Sequence, residues 1–400
     1  MNTRLLASGL TLAAGLNAGA LDIPHLNQGA DGAFAPTNQN HVVDLSLAAD
    51  GRWDDPTPDH DHGIYDAEKG AVVFKFSTVN IPAGATVTFR NHPSRAPVVW
   101  LVEGEVKIGG KINLSAGGPG GFRGNRGKFV AAEGGGGFGP GGAGYVPGAS
   151  GSDAGHQRQG GGASPGRQYG GTKIVPLIGG SGGAGEGTGG FGGGYGGGAG
   201  GGAILIASSG VLQVTGEIRS DGEAITCGIC GHGSGGSVRL IGDTVRTSGQ
   251  ISVGGGGASQ GRIRVEGLSL NIGGRFTVEP SHLFPARVID LWPRDDSPSV
   301  FIASVSGQAM PDDPLANIEI GSMADLSLQA VTNEVLVATT YFTTNALVNL
   351  RIVARSGRTD AVQTMQYLSS DPVNTNRLFW KANVAFRPGY HVLQAHVLSP

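Results

Sequence analysis

The chain has only two cysteines, Cys227 and Cys230, in the run Thr-Cys-Gly-Ile-Cys-Gly-His. Thiols at this spacing can close a small ring, hold a metal or exchange electrons. In an oxidising compartment the ring is the expected state. A redox-active pair belongs at a strand-to-helix junction, and no helical period surrounds this one. Haem attachment needs a histidine directly after the second cysteine, whereas Gly231 separates Cys230 from His232. Zinc on Cys227, Cys230 and His232 would need a fourth ligand from elsewhere. We therefore assign Cys227 and Cys230 to a local disulfide that stiffens a protruding loop. No residue is assigned as catalytic, cofactor-binding or metal-ligating, and no cofactor is expected.

A second cluster of chemistry-bearing residues comprises Asp54, Asp55, Asp59, His60, Asp61, His62 and Asp66. Carboxylates and imidazoles this close could hold calcium or a transition metal. The spacing does not fit an EF-hand loop, and Pro56 and Pro58 stiffen it, so the cluster reads as a solvated acidic loop. No Gly-Lys-Ser/Thr follows a glycine loop to cradle phosphate, and no glycine-aspartate nonapeptide repeat for calcium occurs.

The elements that must carry these groups form a repeat. Its unit is two residues, usually small, followed by alternating polar and apolar residues. It appears at 84–89, 109–114, 215–220, 248–253 and 273–278. An apolar-x-apolar triplet precedes each unit: Val79/Ile81, Val106/Ile108, Leu212/Val214, Val245/Thr247 and Leu270/Ile272. A further triplet lies upstream, aligned as Phe74/Phe76, Val99/Leu101, Ile204/Ile206, Val238/Leu240 and Ile263/Val265. Period two puts these side chains on one face of each strand, and glycine at the corners permits a bend or a close approach. Coils of about 25 residues with three short strands predict a parallel β-helix of about five coils over 71–280. Ile112, Ile218, Ile251 and Phe276 should then stack as one interior column.

The repeat also tests for an enzyme of the polysaccharide lyase or hydrolase type, which needs paired carboxylates. The outward columns read Thr86, Lys111, Glu217, Gln250, Arg275 and Thr88, Asn113, Arg219, Ser252, Thr277. Neither concentrates carboxylates. Glu103 with Glu105, and Glu217 with Asp221, remain as isolated pairs, and the columns hold no flat threonine ladder of the kind an ice-binding face needs.

Glycine is the dominant residue, 74 of 400, and residues 117–202 form a glycine-rich insertion within one coil. This tract reads as a flexible linker or, because Phe191, Tyr195, Ala199 and Ala203 recur every four residues, as a segment packed on the coils. On the linker reading it is dispensable for the remaining fold. The formal charge is -3, with 28 basic against 31 acidic side chains. That balance gives no electrostatic footprint for nucleic acid and no basic belt for an anionic membrane.

Residues 1–20 combine Arg4, a short apolar stretch and the ending Ala18-Gly19-Ala20. They read as a secretory signal peptide cut after Ala20, and the mature chain shows no further segment of membrane-spanning length. Residues 21–70 are expected to form an N-terminal cap with a strand at Val42–Leu47. Alternating strands over 288–400 suggest an immunoglobulin/fibronectin-like β-sandwich with Trp380 in its core. The stretches from Val72 to Gly118, 200–210 and 234–245 resemble a group of exported, glycine-rich bacterial proteins with no established activity. The resemblance implies export and this all-β architecture and transfers no functional residue. The expected function is a non-enzymatic extracellular or cell-surface structural or adhesive protein. The alternative is a carbohydrate-active β-helix enzyme or a carbohydrate-binding protein. Its partners would be polysaccharide or cell-surface components, or other copies of itself, with no nucleic acid.

Overall fold

The computed structural model describes residues 21, 23, 30–54, 62–116, 170–183, 198–225, 231–255, 260–283, 289–310, 325–354, 360–386, 388 and 391–398. Among them there is no α-helix, and the protein is all-β. Strands from Ala33 to Leu283 stack in two sheets whose pairs are parallel, apart from Ile64–Asp66 against Ala71–Phe76. The sequence alternation explains both sheets. In the narrower one, Thr86–Arg90, Lys111–Asn113, Glu217–Arg219, Gln250–Ser252 and Arg275–Phe276 lie rung on rung. Ile112, Ile218, Ile251 and Phe276 form the expected column, Val87 extends it by one rung, and the four aliphatic members are buried. In the wider sheet the long strands Ala203–Val214, Ser237–Thr247 and Arg262–Ile272 each serve two strand positions of the repeat. Inward side chains of both sheets make one apolar core, which includes Trp100, Phe74, Ile206 and Leu240.

The upstream triplets of the first two rungs correct the sequence alignment. Val72, Val98, Ile204, Val238 and Ile263 are register partners, as are Phe74, Trp100, Ile206, Leu240 and Val265. Val99 and Leu101 therefore do not face inward with Ile204 and Ile206. A one-residue slip moves every side chain to the other face. The run VVWLV is apolar throughout, so alternation alone could not fix its frame.

The corner glycines are required mainly by stacking. A Cβ on Gly216 would be driven into the Gly110 carbonyl oxygen, one on Gly249 into that of Gly216, and one on Gly274 into that of Gly249. Of these only Gly274 has positive φ, +93°. Close rung-to-rung approach of backbone, not turn conformation, explains the repeated glycine.

The expected cap is part of the stack. Asn40–Asp44 pairs in parallel with Thr86–Arg90, and Ala33–Phe34 with Thr78 and Val79. The strand expected at Val42–Leu47 ends at Asp44, whose carboxylate accepts the Ser46 N–H (3.0 Å) and starts a short 3-10 turn over Leu45–Leu47. The described ends of the glycine tract are also built in. Ile174 and Leu177 are buried on the outer face of the wider sheet. Gly201 donates to the Ser234 carbonyl (2.9 Å) and Gly198 to that of Gly231 (3.0 Å). The periodic residues Phe191 and Tyr195 lie outside the described residues.

Beyond residue 298 the pairing is antiparallel throughout the described strands. Ser299–Val305, Thr332–Thr340, Arg377–Ala385 and Gln366–Ser370 belong to one sheet; Leu347–Ala354, Asp360–Thr364 and His391–Leu398 form the other. Val335, Val337, Val348, Leu350 and Trp380 share one core between them. Trp380 is buried as expected, its Nε1–H donating to Thr339 Oγ1 (2.9 Å). Within the expected alternating strands of 288–400, residues 326–331 form no strand, and residues 364–369 divide between the two sheets.

Candidate functional site

Polar chemistry collects at three places among the described residues, and each has a different cause. On the narrower sheet, rung stacking brings Lys111 beside Glu217, with Nζ 3.2 Å from Oε2. Arg219 Nε lies 2.7 Å from Glu217 Oε1 and 3.6 Å from Asp221 Oδ2. Asp221 also accepts the Gly254 N–H (2.6 Å) and the Ser252 hydroxyl. Glu217 and Asp221 are thus brought together, but around a shared guanidinium. Their oxygens are engaged by Lys111, Arg219, the Ser252 hydroxyl and the Gly254 N–H, an arrangement that ties one rung to the next. Glu105 is likewise held by Lys107 (2.5 Å), which keeps its carboxyl below the ordinary value.

The second cluster lies on the outer face of the wider sheet. Here Val73, Val99, Leu205, Arg239 and Arg264 form one column, and Lys75, Leu101, Ala207, Ile241 and Glu266 another. The face changes from apolar to ionic over its last rungs. Glu266 Oε1 receives Arg239 Nε (2.9 Å) and Arg264 Nε (2.6 Å), with all three side chains nearly inaccessible. Backbone covers them: Arg239 donates to the Asp290 carbonyl (2.9 Å) and Arg262 to that of Gly170 (3.1 Å). Burial pushes the Arg239 guanidinium down from its ordinary value, and Glu266 opposes that shift. With no access for a ligand, this arrangement fastens segments 170–172 and 289–292 to the sheet. The continuous apolar runs VVWLV and AILIA are the signal that could have revealed it, because strands buried on both faces lose their alternation.

The third cluster is the turn after Arg90. His92 stacks on Tyr65 with ring centroids 4.0 Å apart and an angle of 25° between planes. Its Nδ1 lies 2.7 Å from Ser94 Oγ and accepts the Ser94 N–H (3.3 Å). An accepting Nδ1 places the proton of the neutral ring on Nε2. Burial lowers the His92 pKa from its ordinary value, and Asp50 opposes the shift. A neutral imidazole beside a hydroxyl has the elements of a base and a nucleophile. The hydroxyl here is two residues away in the same turn, and the Ser94 N–H shares its acceptor, which is how a serine closes a tight turn.

The other residues singled out by sequence separate. Asp66 leaves the acidic cluster: it is buried and accepts the backbone N–H of Trp53 and of Lys69, both at 3.0 Å. Asp54 is exposed, 3.4 Å from Arg52, and His62 is exposed too. Asp55, Asp59, His60 and Asp61 lie outside the described residues, as do Cys227 and Cys230. The base of the cysteine loop is described: Ile225 donates its N–H to His232 Nδ1 (3.0 Å). Among the described residues no group of His, Cys, Asp and Glu could hold a metal. No helix among them is long and apolar enough to cross a membrane.

No protein-family model matches the chain, and neither a curated protein nor a solved structure does.

Proposed function

We propose that the chain is an exported, non-enzymatic structural or adhesive protein of the extracellular space or cell surface. In this reading its parallel stack is a β-helical stem, and its C-terminal pair of sheets is an immunoglobulin/fibronectin-like sandwich. The observation that carries the reading is how the stack spends its faces. The interior is a continuous apolar core, the wide outer face is covered by the chain's own segments, and the ladder carboxylates Glu217 and Asp221 are tied to Lys111 and Arg219. A lyase or hydrolase needs carboxylates free to move protons. A stem needs strong rung-to-rung contact.

The test is to incubate the secreted protein with a panel of polysaccharides. Retention on cell-surface material without release of oligosaccharides supports the structural reading. Reproducible oligosaccharide release overturns it in favour of the carbohydrate-active alternative. The Cys227–Cys230 ring belongs to the same proposal, and intact-mass analysis should find the exported protein lighter than the dithiol form by two hydrogens. Free thiols would remove the loop staple, and stoichiometric zinc lost with either cysteine would assign Cys227, Cys230 and His232 to a metal.

A further inference from the structure

Leu21 follows the expected cleavage point, and its surroundings are specific. It is 3% exposed and Ile23 is 4% exposed. Both pack in the outer apolar layer with Trp53, Val73, Leu205 and Ile241. The Leu21 backbone N–H donates to Asp243 Oδ1 (2.5 Å), across 222 positions of sequence. Asp243 sits where the wider sheet is irregular. Ser208 pairs with Gly242 and Val211 with Thr244, so Ser209 and Gly210 lie opposite the single residue Asp243. An irregularity of this kind re-aims a side chain out of the regular pleat. Among the described residues no cationic side chain forms an ion pair with Asp243.

We propose that Asp243 is the receptor for the α-ammonium group created at Leu21 when the precursor is cut, so that processing locks the N-terminal segment onto the outer face of the stack. The inference rests on the export reading above. In the cut, a peptidase of the export route adds water across the Ala20–Leu21 amide. The C–N bond breaks, hydroxyl goes to the Ala20 carbonyl carbon, and the Leu21 nitrogen takes the proton. A second proton from solvent makes the nitrogen an ammonium, since an α-amino group titrates near 7.7–8.0 and a neighbouring carboxylate favours its charged form. The amide-to-carboxylate hydrogen bond then becomes an ion pair with three donors on the nitrogen, in a half-buried place where salt screens weakly. Leu21 and Ile23 deliver the nitrogen by burying their side chains.

The experiment compares the whole mature chain beginning at Leu21 with the same chain acetylated at Leu21, each with Asp243 and with Asp243→Asn. Acetylation keeps the N–H donor and removes the charge. The free ammonium should raise Tm by on the order of 5 °C over the acetylated chain. Asp243→Asn should abolish that difference, chiefly by lowering the free-ammonium form. Equal Tm values for the free and acetylated chains overturn the capture, as does an equal loss from Asp243→Asn in both. Should the Asp243→Asn chains fail to fold, the acetylation comparison decides alone. N-terminal mass of the exported protein separates the premise from the inference. A start other than Leu21 overturns the role of processing, whereas a start at Leu21 with no acetylation effect overturns Asp243 as receptor.

Discussion

Between Ala71 and Phe276 most strands meet the equivalent position of the repeat one rung away; between Ser299 and Leu398 each meets an unrelated stretch running the other way. The difference shows in the use of glycine. In the stack, Gly110, Gly216, Gly249 and Gly274 succeed one another because backbone approaches backbone at that corner in every rung. In the antiparallel region Gly307 is the one described glycine; its φ is +76° and its space is open. Parallel repetition makes one residue type answer to its own copies, whereas an antiparallel sheet asks for side chains that fit across strands. The same substitution should therefore cost differently, and for different reasons, in the two regions.

The largest break should come from the interior column. Ile218→Asp buries a carboxylate among Ile112 and Ile251, with no cation in the column to pair it. The expected loss is at least about 4 kcal/mol, enough to lower the melting of the stack sharply. An unchanged melting temperature would refute the column.

Glu266→Gln comes next. It leaves the buried guanidiniums of Arg239 and Arg264 without their shared carboxylate. Removing one partner of a buried ion cluster costs about 3 kcal/mol or more. Hydrogen exchange should then speed up first in segments 170–172 and 289–292, which Arg239 and Arg264 fasten. An exchange pattern confined to the C-terminal sheets would contradict that role.

Glycine gives the sharpest contrast. Gly216→Ala pushes a methyl group into the Gly110 backbone and should cost about 2 kcal/mol of overpacking. Gly307→Ala meets only left-handed backbone strain, roughly 1 kcal/mol. Denaturant midpoints of the two variants measure the difference, and equal losses would mean that stacking does not set the corner residue.

The smallest effect is the pH response of the His92 turn. Burial depresses the His92 pKa below its unfolded value. A group lowered on folding supports the fold above the unfolded value, near 6.5, and that support is lost as pH falls through the folded value. His92→Asn should flatten the decline in Tm as pH falls below about 6.5, by a small amount. A decline identical to that of the parent protein would place the acid sensitivity elsewhere.

Much of the architecture was legible because the chain repeats. Ile112, Ile218 and Ile251 share a place in six-residue units of alternating polarity, and alternation maps directly onto the two faces of a strand. The frame of Val98–Val102 was not legible, because a run apolar at every position carries no phase. The ion pairs of Lys111, Glu217 and Arg219 follow from columns readable once the repeat is aligned. The buried Arg239–Glu266–Arg264 cluster does not, because burial there is imposed by segments roughly 50 to 90 residues away in sequence.

The sequence by itself determined the all-β class, the parallel rung order, the glycine corners and the core position of Trp380. These depend on local period and on the match between neighbouring rungs, which a one-dimensional pattern records. Only the tertiary structure decided which segments cover the outer face of the wider sheet, why Asp66 is buried, and that Leu21 reaches Asp243. Each of those outcomes depends on distant segments meeting, and a contact between residues that share no period leaves no mark along the chain.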